Sequence, residues 1–582
     1  MNDKKLHRVL IILFLFVGII FRMALLNWEL PYYSVDENEV VEPALAFLSG
    51  DWEPHWYGYG PIFSYLLAFI YKVYMWTAAF TSGWTREDFF YAAFFEPTSF
   101  YVLGRGFHAL IIIGIAVISW VFARRYFDSL TAAAALILGL SPLLDINTNF
   151  TIRIDTLLGL FSLLSLFFAA QFGQDRMQLR PYIMSGIFAG FGIATKNLTG
   201  FLVLPALVLA HFLSVWRTTN ISAWKKVEYA VTRPHIWILM VSVLLGHTLA
   251  NPYSVINFDG FLLELYNGYI KQSGGVKIFD YYESPYDFSW LVTKWGWPMV
   301  IAIALALLAS VRRADNASRI LLIYIAVFII AFLPFKSQDY WYNAMFPAVI
   351  IIVASFISGV SQSIVKYLYN LRGKNSATID HVTYANRLSF TVMIFLSIIL
   401  IFSPYLKTGW LIHANWFSPV APLEKRADSA AQAWIENNVP SRSSILMIGR
   451  HAYNLPRLLA DKERVQAIWG EYFSYHRDEY LHWCEEYENA YLQLQQKNKP
   501  MYRIINIRER YSLTPHDLEM NSFYRNNMAS IALDNDCKYV VIASPGGYKG
   551  AWEKNSKVTL LAYFNNSTGH SGDEVKIFKM LQ

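Results

Sequence analysis

The chain has 582 residues, 55% of them hydrophobic and only 16% charged, a balance that excludes an ordinary soluble globular protein and indicates a membrane protein with a sizeable polar part. Its net charge of +6 gathers in short loops between apolar runs, so it reads as membrane topology rather than as a nucleic-acid surface. Two cysteines, Cys484 and Cys537, are too few for a disulfide framework or a cysteine-based metal site, and pairing and free thiols stay equally open for them.

In chain order, Lys4, Lys5 and Arg8 precede an apolar run over 9–26 with no small-residue cleavage site after it. It is expected to be an uncleaved first span with its N-terminus in the cytoplasm. Further spans fit 102–122, 130–144, 157–172, 182–195, 200–215, 236–250, 291–309, 320–335, 342–360 and 388–404. That makes about eleven crossings, most near the length a bilayer core requires, and leaves the C-terminus outside. The inner loops then hold Arg124-Arg125, Arg176 and Arg180, Lys225-Lys226 and Arg233, Arg312-Arg313, and Lys366 with Arg372, as the positive-inside rule demands. The apolar run over 61–80 would reverse every later loop if counted as a span. It is therefore expected to lie along the outer interface.

After Pro404 the composition turns charged and mixed. Residues 408–582 read as one extracytoplasmic α/β domain, following a membrane domain over 1–407 that includes a first outer loop at 28–100. A helix is expected over 428–438, stopped by Pro440, with strands over 444–448, 538–543 and 575–580.

The first outer loop carries an adjacent carboxylate pair, Asp36-Glu37, at the membrane boundary. Ionisable residues held there are functional candidates, although acids are equally at home in the first turn of a helix. Next come a short helical pattern, Ser49-Gly50-Asp51-Trp52, and an aromatic-glycine turn with His55 that ends in Tyr59-Gly60-Pro61. This order resembles the GT-C membrane glycosyltransferases, in the branch of protein O-mannosyltransferases and lipid A aminoarabinose transferases. The resemblance extends through Tyr101-Val102-Leu103-Gly104-Arg105, Arg124 to Phe127, Thr151-Ile152-Arg153-Ile154-Asp155, Ala194-Thr195-Lys196, and Lys336 with Tyr342 and Pro347. It reaches the C-terminal domain at Ala433 to Pro440 and Cys537 to Val541. Where aminoarabinose transferases usually have Lys-Pro-Pro, this chain has Tyr59-Gly60-Pro61.

The resemblance implies a polytopic α-helical GT-C fold in the cytoplasmic (inner) membrane. The implied activity is inverting transfer of a sugar from a polyprenyl-phosphate carrier to a lipid, glycan or protein acceptor on the outer face. Such a reaction needs a base for the acceptor proton and cations for the departing phosphate. Asp36 is the expected base, with Glu37 and Asp155 as further catalytic acids. Arg105, Lys196 and Lys336 are the expected phosphate ligands, with interfacial snorkelling as the bland alternative for each. His55, Tyr59 and Tyr342 are expected to touch substrate. No cofactor or obligatory metal and no nucleic-acid partner are expected. The rival function is a lipid-linked-glycan flippase, whose signature would be mid-span polar residues and two related halves.

Overall fold

The computed structural model describes residues 3–24, 26, 35–50, 52–54, 59–95, 97–141, 151–173, 178–218, 222–272, 289–313, 315–332, 339–371, 379–408, 427–441, 443–448, 503–507, 532–533, 536–543, 558–565 and 574–581. The N-terminal part runs through α1 (Asp3–Ala24), α2 (Val35–Ser49), α3 (Ile62–Ser82), α4 (Arg86–Phe95), α5 (Thr98–Tyr126), α6 (Ser129–Leu140), α7 (Ile154–Ala169) and α8 (Arg180–Ile193). Then come α9 (Leu204–Thr218), α10 (Ala223–Thr232), α11 (Pro234–Ala250), α12 (Phe258–Gln272), α13 (Ser289–Val311), α14 (Asn316–Phe332), α15 (Phe346–Leu371) and α16 (Ile379–Thr408). Every apolar run expected to span falls on one of these helices.

The chain is a polytopic helical membrane protein. By length and composition, five helical stretches among the described residues can cross a bilayer, and the α10–α11 pair, bent by 45°, makes a sixth. α3 passes the same test as the others, so its expected place at the interface rests on the loop charges alone.

Local chemistry explains the helix ends that bear on the site. α3 stops at Gly83, whose φ of 66° is the left-handed conformation glycine favours, and its N–H bonds back to Ala79 O. α6 starts at Asp128, whose carboxylate accepts from the N–H groups of Leu130 and Thr131, both at 2.8 Å. At the other end of α6, Arg22 of α1 is buried and donates to Leu140 O at 2.8 Å and Ser141 O at 3.2 Å. It satisfies carbonyls that a helix end leaves open.

Small residues set the tightest helix contact. A Cβ on Gly186 or Gly190 of α8 would stand 2.6 Å from Leu239 O and 2.3 Å from Val243 O of α11. From the other side, a Cβ on Gly246 would stand 2.4 Å from Ile187 O. Two helices this close pack backbone on backbone, the small-xxx-small arrangement of membrane bundles. α8 is therefore held rigidly, and the chain leaves it directly into Thr195 and Lys196.

The C-terminal region contains α17 (Ala427–Asn438) and strands β1 (Ser444–Ile448), β2 (Arg503–Ile507), β3 (Tyr539–Ala543), β4 (Val558–Asn565) and β5 (Glu574–Met580). They form a five-stranded sheet in the order β2-β1-β3-β5-β4. β1 is parallel to β2 and β3, while β5 is antiparallel to β3 and β4. Ala431 and Ile435 of α17, with Val439 just after its end, pack on Ile445, Val541 and Ile577 to make its core. Cys537 is buried, and Cys484 lies outside the described residues.

Candidate active site

The site begins with the pattern of α2. Glu37, Val40, Val41, Ala44, Leu45 and Leu48 are all buried, which is one stripe at helical spacing. A carboxylate thus occupies the first position of an apolar stripe, fully buried, and such a charge persists only with a partner. Arg105 of α5 supplies it. Its Nε donates to Glu37 Oε1 at 2.8 Å and its Nη2 to Oε2 at 2.9 Å, a bidentate pair with both side chains essentially inaccessible. The Ile152 N–H donates to the same Oε1 at 3.0 Å, and Arg105 Nη1 reaches Leu26 O at 3.4 Å. Four segments, around Leu26, Glu37, Arg105 and Ile152, therefore meet at one ionic knot.

Three residues beyond Ile152, Asp155 sits in the first turn of α7, where the helix dipole favours an acid. It is buried and accepts from Lys196 Nζ at 2.8 Å, and Lys196 keeps 13% of its side chain exposed. The lysine also stands 5.7 Å from the centroid of the Tyr59 ring, within range of a cation–π contact.

Gly60 brings Tyr59 there. The Gly60 N–H donates to Thr195 O at 3.1 Å, and a Cβ at position 60 would fall 1.7 Å from Ala194 O. No side chain fits that approach, so the glycine of the Tyr59-Gly60-Pro61 turn is a docking requirement.

A narrow cleft, partly open to solvent, lies between α2 and this turn, with Glu39, Pro43, Phe47, Tyr59, Pro61 and Ile154 among its walls. Glu39 stands out. Burial pushes its carboxyl up from the ordinary value of 4.5 to about 7, against the opposing pull of the Tyr59 hydroxyl bond and the Lys196 charge. Its Oε2 is buried with no hydrogen-bond partner among the described residues.

Of the expected site residues, Glu37, Asp155, Arg105, Lys196 and Tyr59 come together in this region. Two of them take unexpected partners: Arg105, read as a phosphate ligand, is committed to Glu37, and Lys196 is paired with Asp155. Asp36 stands in the first turn of α2, one turn before Glu39, and its side chain lies outside the described residues. His55 and Lys336 also lie outside them. Tyr342 is buried in the 3₁₀ turn Asp339–Met345. That turn packs on α7, where a Cβ on Gly159 would be 3.3 Å from Ala344 Cα. Among the described residues no group of three His, Cys, Asp or Glu side chains is placed to hold a metal ion. Glu39 escaped the sequence reading, although its spacing of three from Asp36 sets both on one face of a helix.

Residues 100–245 match the model of a family described as dolichyl-phosphate-mannose-protein mannosyltransferase. No curated protein sequence matches the chain. Among solved structures, ArnT from Cupriavidus metallidurans bound to undecaprenyl phosphate is 14% identical, with 99% of this chain and 98% of that chain covered and a TM-score of 0.46. The archaeal oligosaccharyltransferase AglB from Archaeoglobus fulgidus, in complex with an inhibitory peptide and a dolichol-phosphate, is also 14% identical. There the coverage is 93% of this chain and 70% of that one, with a TM-score of 0.43. Likenesses at this level add no weight to the assignment. The family match covers about a quarter of the chain, residues 100–245, and agrees there with the resemblance carried by Arg105, Asp155 and Lys196.

Proposed function

We propose that the chain is a membrane glycosyltransferase that moves a hexose or pentose from a polyprenyl-phosphate carrier to a lipid A, glycan or protein acceptor. The reaction is set at the outer face of the cytoplasmic membrane, with residues 408–582 as an extracytoplasmic domain. The observation that carries this reading is the family match over 100–245, because that stretch contributes Arg105, Asp155 and Lys196 to the cluster around α2.

In this reading Asp36 takes the proton of the acceptor hydroxyl as its oxygen attacks the anomeric carbon from the face opposite the phosphate. The bond from the anomeric carbon to the phosphate oxygen breaks, its electron pair leaves with the lipid phosphate, and the anomeric configuration inverts. Glu37 is fixed by Arg105 and the Ile152 N–H, so its role is to position α2, and with it Asp36, rather than to exchange protons. Lys196 is the cation for the leaving phosphate, and Asp155 holds its ammonium in place until the lipid arrives. Lys336 is the second phosphate ligand, and His55 and Tyr342 remain substrate contacts.

The test is Asp36→Asn. Envelope glycolipids and glycoproteins are compared by mass in cells carrying the wild type, the variant or no copy. A hexose or pentose increment is expected only with the wild type, since a positioned base supplies about 10²–10⁴-fold. An increment that persists with correctly inserted Asp36→Asn would sink the catalytic assignment.

A further inference from the structure

We propose that Glu39, held by Tyr59, reads the sugar of the lipid-linked donor, its Oε2 accepting a hydrogen bond from a sugar hydroxyl. This rests on the glycosyl-transfer reading above and names a contact within that site.

Three observations converge on it. First, Glu39 uses one carboxylate oxygen for the Tyr59 hydroxyl and leaves Oε2 buried with no partner among the described residues. An unsatisfied buried acceptor is costly and persists where a ligand satisfies it. Second, Glu39 lines the cleft between α2 and the Tyr59-Gly60-Pro61 turn. The space in that cleft is about that of one water, so it admits a single hydroxyl group of a sugar whose ring lies outside it. Third, the adjoining wall carries Lys196, which is within cation–π range of Tyr59 and acts on Glu39 electrostatically. A sugar is bonded directly to the phosphate it leaves, so with that phosphate on Lys196 the sugar falls beside Tyr59 and Glu39.

The charged groups around Glu39 come from every wall. Glu42 on its own helix acts on it directly, as does Lys196 from the turn after α8, and Tyr59 bonds to it from the turn before α3. Asp155 of α7 holds Lys196, and the Glu37–Arg105 pair closes the base of α2. Of this set, Glu39 is the residue with a buried oxygen that has no partner among the described residues.

The experiment uses the full-length protein in nanodiscs, as wild type, Glu39→Gln, Glu39→Ala and Tyr59→Phe. The probes are undecaprenyl phosphate and the same lipid bearing mannose, glucose, galactose or arabinose, with affinity measured at pH 6 and pH 8. The wild type is expected to bind at least one sugar-bearing lipid about tenfold more tightly than the bare lipid, the order of a hydrogen bond to a charged group. That preference should grow from pH 6 to pH 8, as the carboxyl loses its proton and becomes the stronger acceptor. Glu39→Ala should abolish the preference while leaving bare-lipid affinity within about twofold, since only the sugar contact is lost. Glu39→Gln, nearly isosteric and safer for folding, should lose the pH dependence, and Tyr59→Phe should weaken the preference by freeing the carboxylate to turn.

The assignment is overturned if Glu39→Gln and Glu39→Ala keep the wild-type preference. It also falls if they lose bare and sugar-bearing lipid equally, or if the wild type binds the bare lipid and shows no preference for any sugar. A wild type that binds no undecaprenyl lipid at all overturns the glycosyl-transfer reading itself.

Discussion

Glu37 and Arg105 should be energetically inseparable. Replacing Arg105 with methionine withdraws the guanidinium from a carboxylate that stays fully buried, and replacing Glu37 strands the guanidinium in the same way. Removing one partner of a buried pair costs about 3–5 kcal/mol. Replacing both with methionine removes the stranded charge, so Glu37→Met with Arg105→Met should cost less than the sum of the singles, by about 2–3 kcal/mol. The pair is worth this much because it is bidentate, at 2.8 and 2.9 Å, and supported by the Ile152 N–H at 3.0 Å. The assay is unfolding of the detergent-solubilised protein by SDS, followed by the fluorescence of its 19 tryptophans. Additive single effects, with a coupling below about 0.5 kcal/mol, would refute the claim that this knot holds α2 in place.

Two further predictions follow from the walls of the cleft. Gly60→Ala puts a methyl group 1.7 Å from Ala194 O, so the turn must back away and carry Tyr59 from Lys196. Transfer should fall about a hundredfold in an activity assay, the order expected for a displacement near 1 Å, and full activity would contradict the docking argument. The Glu39 carboxyl, raised from 4.5 to about 7, makes the folded chain bind more protons than the unfolded chain between those values. Stability should therefore fall as pH rises through that window, by at most about 3 kcal/mol, and Glu39→Gln should flatten the dependence. Unfolding midpoints at pH 5 and pH 7.5 for both proteins would decide it, and equal slopes would remove Glu39 as the cause.

Much of the fold was legible in the sequence because membrane helices announce themselves by length and hydropathy. The C-terminal sheet shows where that legibility ends. The strands expected over 444–448, 538–543 and 575–580 are the three inner strands β1, β3 and β5, which carry buried apolar residues such as Leu446, Val541 and Ile577. The two that escaped, β2 and β4, are the edges of the sheet. β4 leaves Leu560, Leu561 and Tyr563 exposed and has a register shift between Leu560 and Ala562, which blurs its alternation. The site divides similarly. Asp155, Lys196 and Tyr59 are visible as odd residues at the ends of apolar runs. That Arg105 belongs to Glu37, 68 positions away, is a matter of tertiary packing, and local spacing carries no trace of it. Glu39 carries no local signal, because a glutamate near the start of a helix is unremarkable until the Tyr59 hydroxyl bonds to it from the turn before α3.

The bond between Arg22 and the end of α6 also constrains how the protein is made. The guanidinium and Leu140 are 118 residues apart in sequence. At about 5–20 residues per second, roughly 6–24 s pass between synthesis of the arginine and synthesis of its acceptor. During that interval the carbonyls at the end of α6 do not yet exist, so the Arg22 charge draws the newborn helix toward the water interface, where its long side chain can reach outward. Arrival of α6 removes that tether and lets α1 sink to its final depth. Insertion of the first helix is thus completed by α6, the third expected span, and a chain stalled before residue 140 should leave α1 displaced toward the surface.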